Sequence, residues 1–155
     1  MHRFFFSQAV FFDTLNSYMS RKKKTLRRNT FLQLKRSRAG LGLFAGVSIK
    51  KGEFVIEYTG DVISDKEADE RGGKYLFDIN TRWTIDAKDR KHLARYINHS
   101  CRPNCQPEIE HKKINIYAKR NIVAGEELTY NYGKEYFDEF IKPDGCKCEA
   151  CLLYS

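Results

Sequence analysis

A chain of 155 residues with 41% apolar and 14% aromatic residues can bury one sizeable core, which excludes a largely disordered polymer. Its 28 basic and 20 acidic residues leave +8, unevenly spread: 10 − 1 = +9 over residues 1–39 and 18 − 19 = −1 over residues 40–155. A uniformly basic nucleic-acid-binding surface is therefore not expected, and no apolar run is long enough for a transmembrane helix.

Among Phe4, Phe5, Phe6, Val10, Phe11, Phe12, Leu15 and Tyr18 several recur at helical spacing, so residues 1–19 are expected to form an amphipathic helix packed on the domain or a poorly ordered extension. The run RKKKTLRR over 21–28 reads as a solvated basic arm. From about residue 30 the pattern becomes short strands. Leu32 and Leu34 alternate with Gln33 and Lys35, and Gly40 to Ala45 forms a glycine-led strand. A turn over 49–53 leads into a strand over 54–58. Ser64 with Glu67 three residues on predicts a capped helix over 64–71. Residues 75–79 and 83–86 are strands around an Asn80-Thr81 turn, and 88–97 are expected to be a short helix. Alternation over 114–118 predicts a strand, and a turn at 123–127 precedes another over 128–132. There is no βαβ alternation, which disfavours a doubly wound nucleotide fold.

The five cysteines all lie in the last third of the chain. Cys146, Cys148 and Cys151 fall within six residues, a spacing that suits one tetrahedral metal site better than a disulfide framework. The fourth ligand must come from elsewhere, and among the cysteines only Cys101 and Cys105 remain. Thiols kept for metal imply a reducing compartment.

Two further blocks stand out. Residues 95–105 read RYINHSCRPNC, a density of Asn, His and Cys unusual for a plain loop. Residues 127–133 read ELTYNYG, where Tyr130 and Tyr132 at i and i+2 would face one side of a strand. Alone, Gly40-x-Gly42 is a weak signal, since a tight turn or bulge explains it. Alone, Asn98 reads as a turn residue, His99 as a structural histidine, and Tyr58, Tyr75, Phe77 and Tyr130 as core. The joint occurrence reverses those readings.

Taken in order, GLG, NHSCRPNC, ELTYNYG and CxCxxC resemble a SET-domain protein lysine methyltransferase with a post-SET zinc-binding tail, over roughly residues 31–151. The resemblance implies a mostly β fold of several small curved sheets with few short helices and a C-terminal pseudoknot. It divides the chain into an N-terminal extension with the basic arm (1–30), a SET domain (31–133) and a post-SET tail (134–155). It assigns Gly40, Leu41, Gly42, Arg95, Asn98 and His99 to S-adenosylmethionine. Tyr132 matches the family's catalytic tyrosine, and Tyr130 the position that tunes how many methyls are added. Tyr58, Tyr75 and Phe77 join Tyr130 as the lysine channel. Cys101, Cys146, Cys148 and Cys151 match the ligands of one structural zinc ion, with Cys105 the spare thiol. The tail departs from the usual CxCxxxxC by two residues, Asn131 replaces the usual Asp, and the insert near 62–74 is short.

The residue types suit methyl transfer to an amine. Near pH 7 only about one free lysine in a thousand is neutral, and an apolar channel favours the neutral form. Tyrosine faces attract sulfonium and methylammonium cations, and their hydroxyls orient the amine. The expected substrate is a protein, a histone or other basic tail, adding as an extended strand at an open edge. The alternative is a non-catalytic SET-like binding module recruiting partners or nucleic acid through the basic arm and zinc tail. The basic run over residues 20–28 leaves room for weak nucleic-acid contact, and membrane contact is not expected. The expected compartment is nucleus or cytoplasm, or the interior of another cell reached as a secreted effector.

Overall fold

The computed structural model describes residues 31–153. The expected helix over 1–19 and the basic arm over 21–28 lie outside the described residues.

Four small sheets carry the fold. Strand β1 (Leu32–Ser37) pairs antiparallel with β2 (Gly40–Ala45) through a two-residue connection ending in Gly40, whose φ of 118° suits glycine. Strand β3 (Phe54–Tyr58), β8 (Cys105–Glu110) and β9 (Lys113–Ala118) form a sheet in the order β3-β9-β8. Strand β4 (Asp61–Ser64), β5 (Leu76–Asn80) and β6 (Trp83–Asp86) form another, with β6 central. Between β4 and β5 runs helix α1 (Asp65–Arg71), whose Ser64 Oγ accepts from the Glu67 N–H at 3.2 Å, as the capping pattern predicts.

The fourth sheet positions the site. Strand β7 (Asn98–His99) pairs in parallel with β10 (Thr129–Tyr130), in the register Thr129↔Asn98 and Tyr130↔His99. Just before β10, the Leu128 N–H donates to Leu43 O and the Ala45 N–H donates to Glu126 O, so the chain passes between β2 and β7. This crossing brings segments about thirty and ninety residues apart in sequence into one layer, the long-range closure expected of the pseudoknot. Leu43, Ile49, Ile97, Ile114, Ile116, Ile122 and Leu128 are all essentially inaccessible and fill the space beneath it. Each such buried aliphatic side chain contributes roughly 1.5–3 kcal/mol from burial.

Two expected elements are shorter than predicted, and strands β4, β7 and β8 answer to no expected strand. The helix expected over 88–97 is only a 3₁₀ turn at Leu93–Tyr96, because Asp89 turns the chain first, accepting from Lys91 N–H at its side chain and from His92 N–H at its carbonyl. The strand expected over 128–132 is paired only at Thr129–Tyr130. Strand β8 gives no clear alternating signal. It is an edge strand containing Pro107, and an edge is where a residue without an N–H is tolerated. After β10 the chain winds through helix α2 (Lys134–Tyr136), a π turn (Phe137–Ile141) and a 3₁₀ turn (Lys142–Asp144), then ends in helix α3 (Glu149–Leu152).

Candidate active site and metal centre

The site is built where β2, β7 and β10 meet. Gly42 is buried, and a Cβ there would lie 2.5 Å from Glu127 Oε1, 2.9 Å from Ser37 Cβ and 3.1 Å from Asn98 Nδ2. Only a bare α-carbon fits. Glu127 binds both flanks: Ser37 Oγ donates to Oε2 at 2.9 Å and Asn98 Nδ2 donates to Oε1 at 2.7 Å. Asn98 Nδ2 also donates to Leu41 O at 3.1 Å. With both amide hydrogens used, Asn98 Oδ1 is the acceptor left for a ligand. Gly40, Leu41, Asn98, His99 and Arg95 line one open cleft of about 1320 Å³, large enough for a nucleoside-sized cofactor.

Arg95 has its guanidinium 3.7 Å from the centre of the Tyr75 ring, and Nη1 donates to Lys88 O at 2.5 Å. Its Nε is buried and has no hydrogen-bond partner among the described residues. A buried donor costs about 1–3 kcal/mol when left unpaired, so this atom beside an open cleft calls for an acceptor. The Asn98 acceptor and the Arg95 donor fit a polar cofactor carrying both donors and acceptors.

The second cleft, about 730 Å³, is lined by Tyr58, Phe77, Tyr130, Tyr132 and Tyr136. The rings run in series, with centroids 5.2 Å apart for Tyr58–Phe77, 5.8 Å for Phe77–Tyr130 and 4.9 Å for Tyr130–Tyr132. Tyr75, Arg95, Tyr132 and Tyr136 border both clefts, so the two spaces meet at Tyr132. The Tyr132 hydroxyl donates to Ile97 O at 2.7 Å and that of Tyr58 to Tyr75 O at 3.1 Å. Burial pushes the phenols of Tyr58, Tyr130 and Tyr132 well above the usual tyrosine range, so all three keep their protons. Aromatic faces of this kind would desolvate an amine that entered between them, and the lining of the cleft also carries the carboxylates of Asp65, Asp69, Asp78, Glu135 and Glu139.

The sulfurs of Cys101, Cys146, Cys148 and Cys151 lie within 4.8 Å of one another. Cys101 Sγ is 3.9 Å from Cys146 Sγ and 3.5 Å from Cys151 Sγ. Four thiolates about 2.3 Å from a tetrahedral ion stand roughly 3.8 Å apart, so the shortened tail still delivers a metal-sized cage. Burial opposes ionisation of Cys148, but N–H groups of Cys101 and Cys151 and the neighbouring thiols outweigh it and bring it down to about 6. One thiolate is therefore already favoured within the cage. Cys105 stands apart, 1% exposed in the core, and burial pushes its thiol up to about 12. It is the spare thiol.

The structure thus brings five of the six expected cofactor residues to one cleft, with Gly42 buried against Asn98 and Glu127, the aromatic residues to its neighbour and the four cysteines to one cage. It also gives roles to residues that the sequence left without one, Glu127 and Asn104 inside the motifs and Tyr136 beyond them. Glu127 fixes Asn98. Asn104, 2% exposed, donates to Glu127 O at 2.7 Å and Glu126 Oε1 at 3.0 Å and accepts from the Thr129 N–H at 2.9 Å, tying the loop after β7 to β10. Tyr136 packs edge-on against Tyr132 at 4.9 Å and its hydroxyl donates to Lys74 O at 3.1 Å. A usable signal existed for the last: Tyr132, Tyr136 and Phe140 recur every four residues.

Among the described residues no helix is long and apolar enough to cross a membrane. Comparison with known proteins gives a SET-domain family match over residues 40–133. The chain is 44% identical over 127 residues to a protein of Drosophila virilis named histone-lysine N-methyltransferase trithorax, covering 74% of this chain and 3% of that one. It is 43% identical over 123 residues to a Schizosaccharomyces pombe protein named histone-lysine N-methyltransferase, H3 lysine-4 specific, covering 71% of this chain and 13% of that one. It is 38% identical over 152 residues to human histone-lysine N-methyltransferase 2D, covering 90% of this chain and 3% of that one. The chain therefore spans only a small part of these relatives.

Proposed function

The chain belongs to the SET-domain family, and from that premise we propose that it is a protein-lysine N-methyltransferase that uses S-adenosylmethionine. The observation that carries this reading is the junction of the two clefts at Tyr132. Bound S-adenosylmethionine would supply an electrophilic methyl on sulfonium. Gly40, Leu41, Gly42, Asn98, His99 and Arg95 would hold it: the bare Gly42 lets Glu127 and Asn98 pack against β2, Asn98 Oδ1 accepts from the cofactor and Arg95 Nε donates to it.

Tyr58, Tyr75, Phe77 and Tyr130 would form the channel for the lysine side chain. Their rings desolvate the amine and favour its neutral form. Tyr132, with its hydroxyl held by Ile97 O, would orient rather than deprotonate, since burial raises its pKa and keeps the phenol protonated. The proton leaves to water as the amine is alkylated. In-line alignment of the two reactants can contribute about 7 kcal/mol or more, so no strong base is required. Cys101, Cys146, Cys148 and Cys151 would hold one zinc ion, fastening the tail to the loop after β7.

The proposed substrate is a histone tail or other basic peptide, and the proposed compartment is the nucleus. The names of the relatives support both, and the histone H3 tail is the first substrate to test. The division into an extension (1–30), a SET domain (31–133) and a post-SET tail (134–155) belongs to the same proposal. The test is incubation with methyl-labelled S-adenosylmethionine and core histones, beside Tyr132→Phe, which keeps the ring and removes the hydroxyl. Label on a histone band with wild type and at least about tenfold less with the variant is the expected result. Equal labelling by both would remove Tyr132 from the mechanism. Cofactor binding without transfer to any histone would overturn the substrate class.

A further inference from the structure

His99 stands between the cysteine cage and Tyr132. Strands β7 and β10 pair at Thr129↔Asn98 and Tyr130↔His99, and the ladder then stops. Two residues further on, the Tyr132 N–H donates to His99 Nδ1 at 3.3 Å, so the imidazole takes over where backbone pairing ends. A neutral imidazole that accepts at Nδ1 carries its hydrogen on Nε2. That nitrogen lies 3.5 Å from Cys101 Sγ, a normal distance for an N–H donor to sulfur. The ring is held in place by Tyr132 at 5.5 Å and Phe137 at 5.3 Å, centroid to centroid. Both ring nitrogens are thus engaged within the protein, and what His99 offers the cofactor cleft is its backbone and the edge of its ring.

We infer that His99 is a positioning residue linking the metal centre to Tyr132: Nε2–H hydrogen-bonds the Cys101 sulfur while Nδ1 holds the Tyr132 backbone in register. Loss of the metal frees Cys101, and the imidazole then loses the partner that fixes its tautomer and orientation. Tyr132 is the residue that feels it. Hydrogen bonds to metal ligands commonly change affinity or activity by about 10–100-fold when removed. The consequence for turnover rests on the methyltransferase reading; the link itself does not.

The test uses three variants of the full chain and two readouts that need no turnover. His99→Asn places an oxygen near the position of Nδ1 and lacks the reach to sulfur. His99→Gln places an amide N–H near the position of Nε2 and abandons Tyr132. His99→Phe removes both. Each protein is loaded with Co²⁺, and the sulfur-to-cobalt charge-transfer band and the rate of metal loss to a chelator are recorded. Exchange of the Tyr132 amide is followed in metal-loaded and chelated protein.

The band should shift and metal should leave about tenfold faster or more in His99→Asn and His99→Phe, with His99→Gln near wild type. Tyr132 amide exchange should quicken in His99→Gln and His99→Phe, and in wild type on chelation, with loaded His99→Asn still protected. Cobalt spectra and metal release identical in wild type and His99→Phe would overturn the link to Cys101. Tyr132 exchange indifferent to both chelation and His99→Phe would overturn the link to Tyr132. A wild type that shows both links and transfers no methyl would instead overturn the methyltransferase reading alone.

Discussion

Gly42→Ala is the smallest change that should open the candidate cofactor site. The added methyl would meet Glu127 Oε1 at 2.5 Å, closer than a carbon and an oxygen can approach. Glu127 must withdraw, and in doing so it gives up Ser37 Oγ at 2.9 Å and Asn98 Nδ2 at 2.7 Å. Hydrogen bonds to a charged group contribute about 1.5–3 kcal/mol each, and for a half-buried carboxylate the lower end applies, giving about 3 kcal/mol in all. That should lower the melting temperature by roughly 10 °C for a domain of this size. Asn98, freed at one of its two anchors, would no longer present Oδ1 in a fixed direction, and one lost contact corresponds to about tenfold weaker cofactor binding. Titration calorimetry with S-adenosylhomocysteine and thermal unfolding measure the two effects. A double-mutant cycle with Glu127→Ala isolates the cause: the cost of Gly42→Ala should shrink in that background by about 1 kcal/mol or more, the remainder coming from Ser37 Cβ at 2.9 Å. Additivity within about 0.5 kcal/mol would refute the idea that Glu127 transmits the damage.

Asn104→Ala should destabilise the protein by about 2–6 kcal/mol in denaturant unfolding, because it orphans the Glu127 carbonyl and the Thr129 N–H; a cost below 1 kcal/mol would mean that water replaces the amide. Alkylation of native, chelator-treated protein should modify the four cage thiols and leave Cys105, whose burial pushes it up to about 12; five adducts by mass spectrometry before unfolding would contradict that placement. The raised pKa values of Tyr58, Tyr130 and Tyr132 keep these hydroxyls protonated as pH rises, while the substrate lysine must lose its proton. Log kcat/KM should therefore climb with a slope near one from about pH 7 to 9 as the substrate approaches its own pKa, and a fall below about pH 10 would show that an ionising tyrosine limits the rate. The Tyr130 hydroxyl makes no hydrogen bond among the described residues, so it is free to hold a water that crowds added methyls; Tyr130→Phe should shift products to higher methylation states, read by mass spectrometry, and identical product states would reject the role.

Much of the fold was legible because its strands are short and bounded by punctuation. Gly40, Gly52, Gly125 and the Ser64 cap mark boundaries that local chemistry sets, and β1 to β3, β5, β6 and β9 follow them closely, whereas β4 was not expected. Where tertiary contacts decide, the local pattern failed. Residues 88–97 have helix-forming side chains but only Ala94 and Ile97 fully buried, so nothing holds a longer helix against Asp89's turn. Strand β8 exists because β9 offers it a partner, despite Pro107 and a polar sequence. The segment 134–144 winds tightly because Tyr136 and Phe140 must reach Tyr132 and the cleft, a demand that only the pseudoknot creates.

The candidate site divides along the same line. Residues that would meet a ligand or metal were visible as motifs because their chemistry restricts them to a few types: bare glycine, amide, phenol and thiolate. Residues that hold those in place stood in the same motifs, but their roles did not show. Glu127 and Asn104 satisfy buried donors and acceptors from segments far away in sequence, and any side chain of suitable reach is unremarkable until the crossing is known. His99 belongs to both groups. Its motif marks it as part of the cofactor loop, yet its two nitrogens point to Cys101 and to the backbone of Tyr132. The loop from Asn98 to Cys101 therefore serves the candidate cofactor cleft with Asn98, the proposed catalytic tyrosine with His99 and the four-cysteine cage with Cys101. A four-residue segment with three such duties can tolerate little change in register, and the parallel pairing of β7 with β10, reinforced by Ser100 N–H donating to Tyr130 O, is what fixes that register.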